Sequence, residues 1–300
     1  MILTVTLNPA VDKNCRLEEL HTGVVNRLRT AACWPGGKGI NVTRVLRQFK
    51  LPVMAIGFLG GNNGKMIEEA VEQLGADCFF THVEGETRVN TNLIEDNGRV
   101  TEILEPGPTI TGKNLEEFVK CYVGCLEQCQ LVVLSGSLPK GVPSDFYATL
   151  IKLANAYGGK TILDTSGEAL KAGLEAVPYL VKPNGPELEQ LAGRALSTRE
   201  DLIEESKKLL KKGIQKVVVS LGSEGMLYVD GEGALFAPAK EVQVVSTVGC
   251  GDTAVASLCM SELAGDDRET MLHKAVALSA ANAATEGCGQ IPMELYLELL

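Results

Sequence analysis

From residue 42 onward the chain alternates segments of helical spacing with short apolar runs, and this alternation constrains the fold more than any other feature. Val42, Val45, Leu46 and Phe49 have helical spacing, Val53–Leu59 reads as a strand, and 64–74 as a helix. The pattern continues with helix 112–129, strand 131–134, helix 144–157 and strands 161–163 and 179–181. Helix 197–212, strand 216–221 and helices 252–263 and 269–286 complete it. The opening run 1–7 is apolar, lacks a basic leader and meets Asn8-Pro9, so it reads as a buried first strand, not a signal peptide. Repeated β–α units bury both faces of their strands, which predicts a parallel sheet with helices on either side.

The first third departs from that pattern. Segments 13–20 and 25–32 read as short strands around His21-Thr22-Gly23, and 87–95 and 99–104 as a second pair joined through Asp96-Asn97-Gly98. Asn-Gly between alternating runs is a strong hairpin signal. Arg88, Asn90 and Asn92 fall on one face of their strand, Val89, Thr91 and Leu93 on the other. The two hairpins, 12–33 and 87–105, form a small β insertion in one α/β domain made of 1–11, 34–86 and 106–300.

With 45% hydrophobic and 22% charged residues, the 300-residue chain is composed like a globular protein and not a disordered one. Lys and Arg number 28 against 38 Asp and Glu, a net −10 that argues against nucleic-acid binding but leaves room for a local phosphate site. No apolar run reaches a membrane span. Nine cysteines, an odd count without a Cys-x-x-Cys pair, suit a reduced, cytoplasmic compartment. Cys121, Cys125 and Cys129 share one helix face and read as small buried hydrophobes.

Two glycine-rich segments precede helices. In Gly249-Cys250-Gly251-Asp252-Thr253, backbone amides at a helix start favour an anion, and an Asp among them suits proton abstraction from a hydroxyl. The alternatives are a helix N-cap between turn glycines and a dinucleotide fingerprint; the latter lacks the acidic residue required about 20 positions on. Gly36-Gly37-Lys38-Gly39-Ile40-Asn41 adds a point charge but does not match a Walker A loop. Arg88 is either a phosphate fork or a solvated cation, and Asp12 either a ligand or a turn carboxylate. Asn184-x-x-Glu187 suits hydrated Mg²⁺ with nucleotide phosphates, or a helix cap. The three His are scattered, which supports neither a triad nor a zinc site.

The order of these motifs resembles the PfkB (ribokinase-like) family of sugar kinases, and within it the hexose-phosphate kinases. The resemblance runs through Leu7-Asn8-Pro9-Ala10-Val11-Asp12, Gly36-Gly37-Lys38-Gly39-Ile40-Asn41-Val42, Gly85-Glu86-Thr87-Arg88 and Leu134-Ser135-Gly136-Ser137-Leu138-Pro139. It continues through Leu163-Asp164-Thr165-Ser166-Gly167, Lys182-Pro183-Asn184-x-x-Glu187, Ser220-Leu221-Gly222-x-x-Gly225 and Val248-Gly249-Cys250-Gly251-Asp252-Thr253. Cys250 stands where the family usually has Ala or Ser. Ser246 stands where many members have Asp or Asn, which puts a monovalent-cation site there in doubt.

This resemblance implies a three-layer α/β/α sandwich with a mostly parallel sheet and a β lid, paired lid to lid in a homodimer through the Val89, Thr91 and Leu93 face. It implies ATP-dependent phosphorylation of a ketohexose phosphate, fructose 1-phosphate first, with tagatose 6-phosphate and fructose 6-phosphate as alternatives. Asp252 is then the general base, and the amides of Gly249, Cys250 and Gly251 hold the transferring phosphoryl group. Asn184 and Glu187 orient Mg²⁺, the Ser220, Gly222 and Gly225 loop lines the nucleotide site, and Asn282 lies near the adenine. Gly37, Lys38, Arg88 and Ser137 take the sugar's existing phosphate, and Asp12, Asn41 and Asn90 its hydroxyls. A catalytically silent sugar-phosphate sensor of the same fold is the other class; the retained Asp252 argues against it.

Overall fold

A computed structural model describes residues 1–300. Strand β1 (Ile2–Thr6) is buried along its whole length and runs at the centre of a large sheet. The chain then leaves for a second sheet through β2 (Ala10–Leu17) and β3 (Thr30–Gly36) before helix α1 (Lys38–Gln48) brings it back. Strand β4 (Val53–Leu59), helix α2 (Gly61–Gln73) and the short strands β5 (Asp77–Cys78) and β6 (Thr81–His82) follow. β7 (Arg88–Glu95) and β8 (Val100–Leu104) complete the second sheet, ordered β3-β2-β7-β8.

The rest winds back and forth. It comprises α3 (Gly112–Leu126), β9 (Leu131–Ser135), α4 (Phe146–Ala156), β10 (Lys160–Asp164), α5 (Gly167–Leu174), β11 (Leu180–Val181) and α6 (Gly185–Ala192). Then come α7 (Arg199–Lys211), β12 (Lys216–Ser220), β13 (Gly225–Asp230), β14 (Gly233–Pro238), α8 (Cys250–Ala264), α9 (Arg268–Ala283) and α10 (Met293–Leu299). The large sheet has the order β14-β13-β12-β11-β10-β9-β1-β4-β5, and β6 also pairs with β4. From β12 to β4 every pairing is parallel.

Alternate side chains of these strands feed two separate cores. Ile2, Leu131 and Val133 pack with α1, α8 and α9 residues on one face; Leu3, Val5, Val132 and Leu134 pack with α3 to α7 on the other. That is the expected α/β/α sandwich. The strand order reverses at β1, which has β4 on one side and β9 on the other. In open α/β sheets the crevice beyond the strand carboxyl ends at such a reversal is where ligands bind. No helix is long and apolar enough to cross a membrane. All nine cysteines are free; Cys125 and Cys129 are buried, and Cys121 is partly so.

The structure departs from the sequence reading at several points. The first hairpin strands are 10–17 and 30–36, not 13–20 and 25–32. The intervening turn is wide because Asn26 bonds the backbone of His21 at both its amide ends and holds that stretch out of the ladder. β2 also pairs in parallel with β7, setting Asp12 beside Asn90. The antiparallel β13–β14 hairpin, which extends the sheet beyond β12, is what makes it mostly and not wholly parallel; the β–α alternation alone did not show it. Helices α5 and α10 went unread because each is only about two turns long, too short for a periodic signal. Val89 packs partly against the chain's own core, and Ile103, which lies opposite Thr91, is the exposed apolar side chain on the Val89, Thr91 and Leu93 face; Val100 and Leu104 are exposed on the other face, opposite Ile94 and Asn90.

Candidate active site

Helix α8 opens at Gly249, which adopts φ +79°. A Cβ there would lie 1.9 Å from Cys288 Sγ, so only glycine fits. Gly249 is therefore the N-cap, and Asp252 lies inside the first turn with no capping bond of its own. Its carboxylate is 6% exposed, and Oδ2 accepts from Asn41 Nδ2 at 2.7 Å. Burial pushes its pKa up to about 6, opposed by the Lys38 charge and assisted by the Asp164 carboxylate. The amides of Gly251 and Asp252 donate to no group of the chain, whereas Cys250 N makes a 3.3 Å bond to Thr247 O. Of the three amides expected to hold a phosphoryl group, that of Cys250 is thus engaged and Gly251's is available, joined by Asp252's own.

Facing this helix start are two ammonium groups on one buried carboxylate. Asp164 ends β10 at 0% exposure; Lys38 Nζ lies 3.2 Å from both its oxygens and Lys182 Nζ 3.2 Å from Oδ1. Burial alone would raise the Asp164 pKa, but the two lysines outweigh it and hold it below the usual carboxylate value. Lys38 is desolvated too, yet Asp164, Asp252 and Glu187 keep it charged by raising its pKa. Lys38 reaches this position because Gly37, at φ +107°, turns the chain where a Cβ would sit 2.8 Å from Thr6 Cγ2. Lys38, expected with Arg88 on the sugar's phosphate, lies on the wall of the large cleft, held by Asp164.

That cleft has a volume of about 1040 Å³ and is walled by Asn184, Glu187, Ser220, Gly222, Gly225 and Gly251 among others. Asn184 and Glu187 form a reciprocal capping box at the start of α6, with both bonds at 2.8 Å. The cap uses Asn184 Oδ1 and Glu187 Oε2, which leaves Asn184 Nδ2 and Glu187 Oε1 for a ligand. The pair therefore caps its helix, as one of its two sequence readings has it, and keeps one free polar atom of each residue on the cleft wall. Asn282 needs correcting: it is buried, its Nδ2 donates to Val248 O and its Oδ1 accepts from Gly289 N. It braces the loops at the cleft edge, with both ends of its amide bonded within the protein.

Beyond Asp252, the first residues of the small sheet and the ends of β1 and β9 gather a second set. Asn90 Nδ2 donates to Asp12 Oδ1 at 2.9 Å, and Asn8 Nδ2 to Ser137 Oγ at 3.1 Å. Arg88 Nη2 donates to Asn8 O at 3.0 Å. Burial raises the Asp12 pKa against the pull of Asn90 and Arg88. Asn8 Oδ1, Arg88 Nε and Asn90 Oδ1 are buried without partners. Buried polar atoms are normally paired, so three orphans in one place make this a candidate ligand position. Asn41, expected on the sugar, has both amide ends engaged inside the protein.

Sequence reasoning gave no role to Asn8, Asp164, Lys182 or Arg44. An available signal was a charged residue directly after a buried strand: Asp164 ends β10 and Lys182 follows β11, where a parallel sheet meets its ligand crevice.

Comparison with known proteins agrees with this geometry. A curated 1-phosphofructokinase of Vibrio cholerae is 37% identical over 288 residues, covering 96% of this chain and 91% of that protein. Phosphofructokinase-2 of Escherichia coli, solved in complex with fructose-6-phosphate, superposes with a TM-score of 0.90 at 27% identity over 99% of this chain and 98% of that one. Ribokinase of Thermotoga maritima, at 20% identity, shares the fold with a TM-score of 0.81 over 100% of this chain and 98% of its own. The pfkB carbohydrate kinase family matches residues 4–294. Because that match takes in every strand end and helix start around the cleft, the chain belongs to the pfkB family of carbohydrate kinases.

Proposed function

We propose that this protein transfers the γ-phosphoryl group of ATP to a hydroxyl of a phosphorylated ketohexose, with fructose 1-phosphate as substrate. The observation that carries the reading is Asp252: a buried carboxylate with pKa near 6, two open helix amides beside it and two ammonium groups opposite. A base with its pKa near working pH is suited to take a proton as a hydroxyl attacks. The sugar oxygen forms a bond to the γ-phosphorus as the bond to the β-bridging oxygen breaks. ADP leaves with that electron pair, and the hydroxyl proton passes to Asp252. The amides of Gly251 and Asp252, with Lys38 and Lys182, face the charge on the transferring group.

ATP occupies the large cleft in this reading. Glu187 offers one carboxylate oxygen there, which fits Mg²⁺, an ion that keeps waters and substrate phosphates as its other ligands. Mg²⁺, when bound, neutralises charge across the nucleotide phosphates. On the far side of Asp252, Arg88 is the fork for the sugar's own phosphate, and Asn8, Asn90 and Asp12 take hydroxyls. The small sheet acts as a lid and pairs with that of a second copy through the face that carries Thr91, Leu93 and the exposed Ile103. Nine unpaired cysteines suit a reducing cytoplasm.

The choice of sugar leans on the 37% identical relative. A coupled ADP-release assay across fructose 1-phosphate, fructose 6-phosphate, tagatose 6-phosphate and free fructose tests it. Highest kcat/KM with fructose 1-phosphate is expected. Preference for another of the phosphates moves the assignment within the group, and equal use of free fructose defeats the phosphate pocket.

A further inference from the structure

We infer that Arg44 is a positioning residue for the base: it fixes the orientation of the Asn41 amide, and through it which oxygen of Asp252 is engaged and how readily that carboxylate loses its proton. The inference rests on reading Asp252 as the base. Arg44 lies one turn along α1 from Asn41, and its Nη1 donates to Asn41 Oδ1 at 3.1 Å. Asn41 Nδ2 donates to Asp252 Oδ2 at 2.7 Å. An amide has a donor end and an acceptor end, and a guanidinium can only donate. Arg44 therefore selects one of the two orientations of Asn41, the one that turns its donor to the carboxylate. Turned over, the amide would put its oxygen against Asp252 Oδ2, which repels the ionised form and favours the protonated one.

The guanidinium is itself held in place. It donates to Cys288 O at 2.7 Å and to Pro35 O at 2.5 Å, which leaves little freedom to follow Asn41 if that side chain turns. It does not reach the cleft wall. The other charged or titratable groups facing Asp252 are Lys38 at the start of α1, Asp164 at the end of β10, Lys182 after β11, Cys250 on its own helix and Cys288 in the loop after α9. None of these bonds to Asn41, so apart from Asp252 itself Arg44 is the one side chain that holds the amide orientation.

The test is the pH dependence of kcat at saturating substrates for wild type, Arg44→Met and Arg44→Lys, each also in an Asn41→Leu background. Titration of the sugar phosphate and ATP is common to all and drops out of the differences. In Arg44→Met the acidic limb is expected to move up by about one pH unit, the scale of one hydrogen bond to a charged carboxylate. Arg44→Lys, which still donates to Asn41, restores part of that shift. In the Asn41→Leu background the Arg44 substitution moves the limb by less than half as much. A fall in kcat with the limb unmoved, or an equal shift with and without Asn41, overturns the proposal by reducing Arg44 to packing or to its charge. If Arg44→Met does not fold, Arg44→Lys with and without Asn41 gives the same comparison. Failure of the underlying reading looks different: Asp252→Asn would then keep near-normal kcat and the same limb.

Discussion

The two halves of the active site are built on opposite principles. On the nucleotide side the charges are already paired: Asp164 holds Lys38 and Lys182, and Asn184 and Glu187 cap one another. On the sugar side Asn8 Oδ1, Arg88 Nε and Asn90 Oδ1 are buried and unpaired. The first half is fixed by the strand ends of a rigid sheet, and the second borrows three of its residues from a small sheet with an exposed edge. A prepaired site spends little on ordering when its ligand arrives, while an unpaired one gains most from contact with the right ligand. On the proposed reading, discrimination between sugars belongs to the small-sheet side.

Asp252, at the seam, gives the largest expected effect. Asp252→Asn should lower kcat by ~10²–10⁴ with ATP binding retained, checked by turnover and nucleotide titration. It should also stabilise the fold. The folded pKa of about 6 lies above the unfolded value of 3.8, so the native state binds the proton more tightly and stability falls as pH rises between them. The Asn variant should then gain ~2–3 kcal/mol at pH 7, and the gap should close below about pH 4. Denaturant melts at both pH values check this.

Asp164→Asn attacks the prepaired half. Lys182, whose side chain is 4% exposed, would lose its counter-ion, and a loss of ~3–5 kcal/mol in stability is expected. Because the folded pKa of Asp164 lies below its unfolded value, its contribution is present at neutral pH and lost as pH falls through the folded value. The wild-type and variant melts should therefore converge in acid.

Arg88→Ala tests the open half and should leave stability nearly unchanged. A cost of ~1.5–3 kcal/mol in kcat/KM for the sugar phosphate is expected, with KM for ATP unmoved. An equal loss for both substrates would erase the contrast between the halves. Smallest for the isolated chain is Ile103→Asp. Ile103 is 54% exposed, so the fold should keep its stability within ~0.5 kcal/mol. Sedimentation should nevertheless show monomers where wild type shows dimers, and a monomeric wild type at micromolar concentration would break the lid-pairing reading.

The large sheet was legible because its strands are buried on both faces and therefore announce themselves as apolar runs, as in 131–134. The small sheet was only half legible. Its strands are part exposed, and Asn26, which folds back on His21, displaced the first hairpin by bonds that no periodicity encodes. At the site, Asp252 and the glycine-rich starts stood out by composition. Asp164 and Lys182 did not, because each acts through the other across a sheet; that pairing exists only once β10 and β11 lie side by side. Arg44 looked like an ordinary helix polar residue for the same reason, and Asn41, read as a ligand of sugar hydroxyls, gave no sign of its bond to Asp252.

The joint between the two sheets has a mechanical consequence. Of the four connections that join the small sheet to the rest, two are tight: only Leu7, Asn8 and Pro9 separate β1 from β2, and only Gly37 separates β3 from α1, whereas 83–87 and 105–111 form the other two. One residue offers two soft dihedrals, so the small sheet hangs on a hinge with almost no slack. Any tilt of that sheet is levered at one end into Asn8 and at the other into Lys38, the first residue of its helix. On the proposed reading, a tilt that closes the small sheet over a sugar also moves the Lys38 ammonium, so the two halves of the candidate site are mechanically coupled.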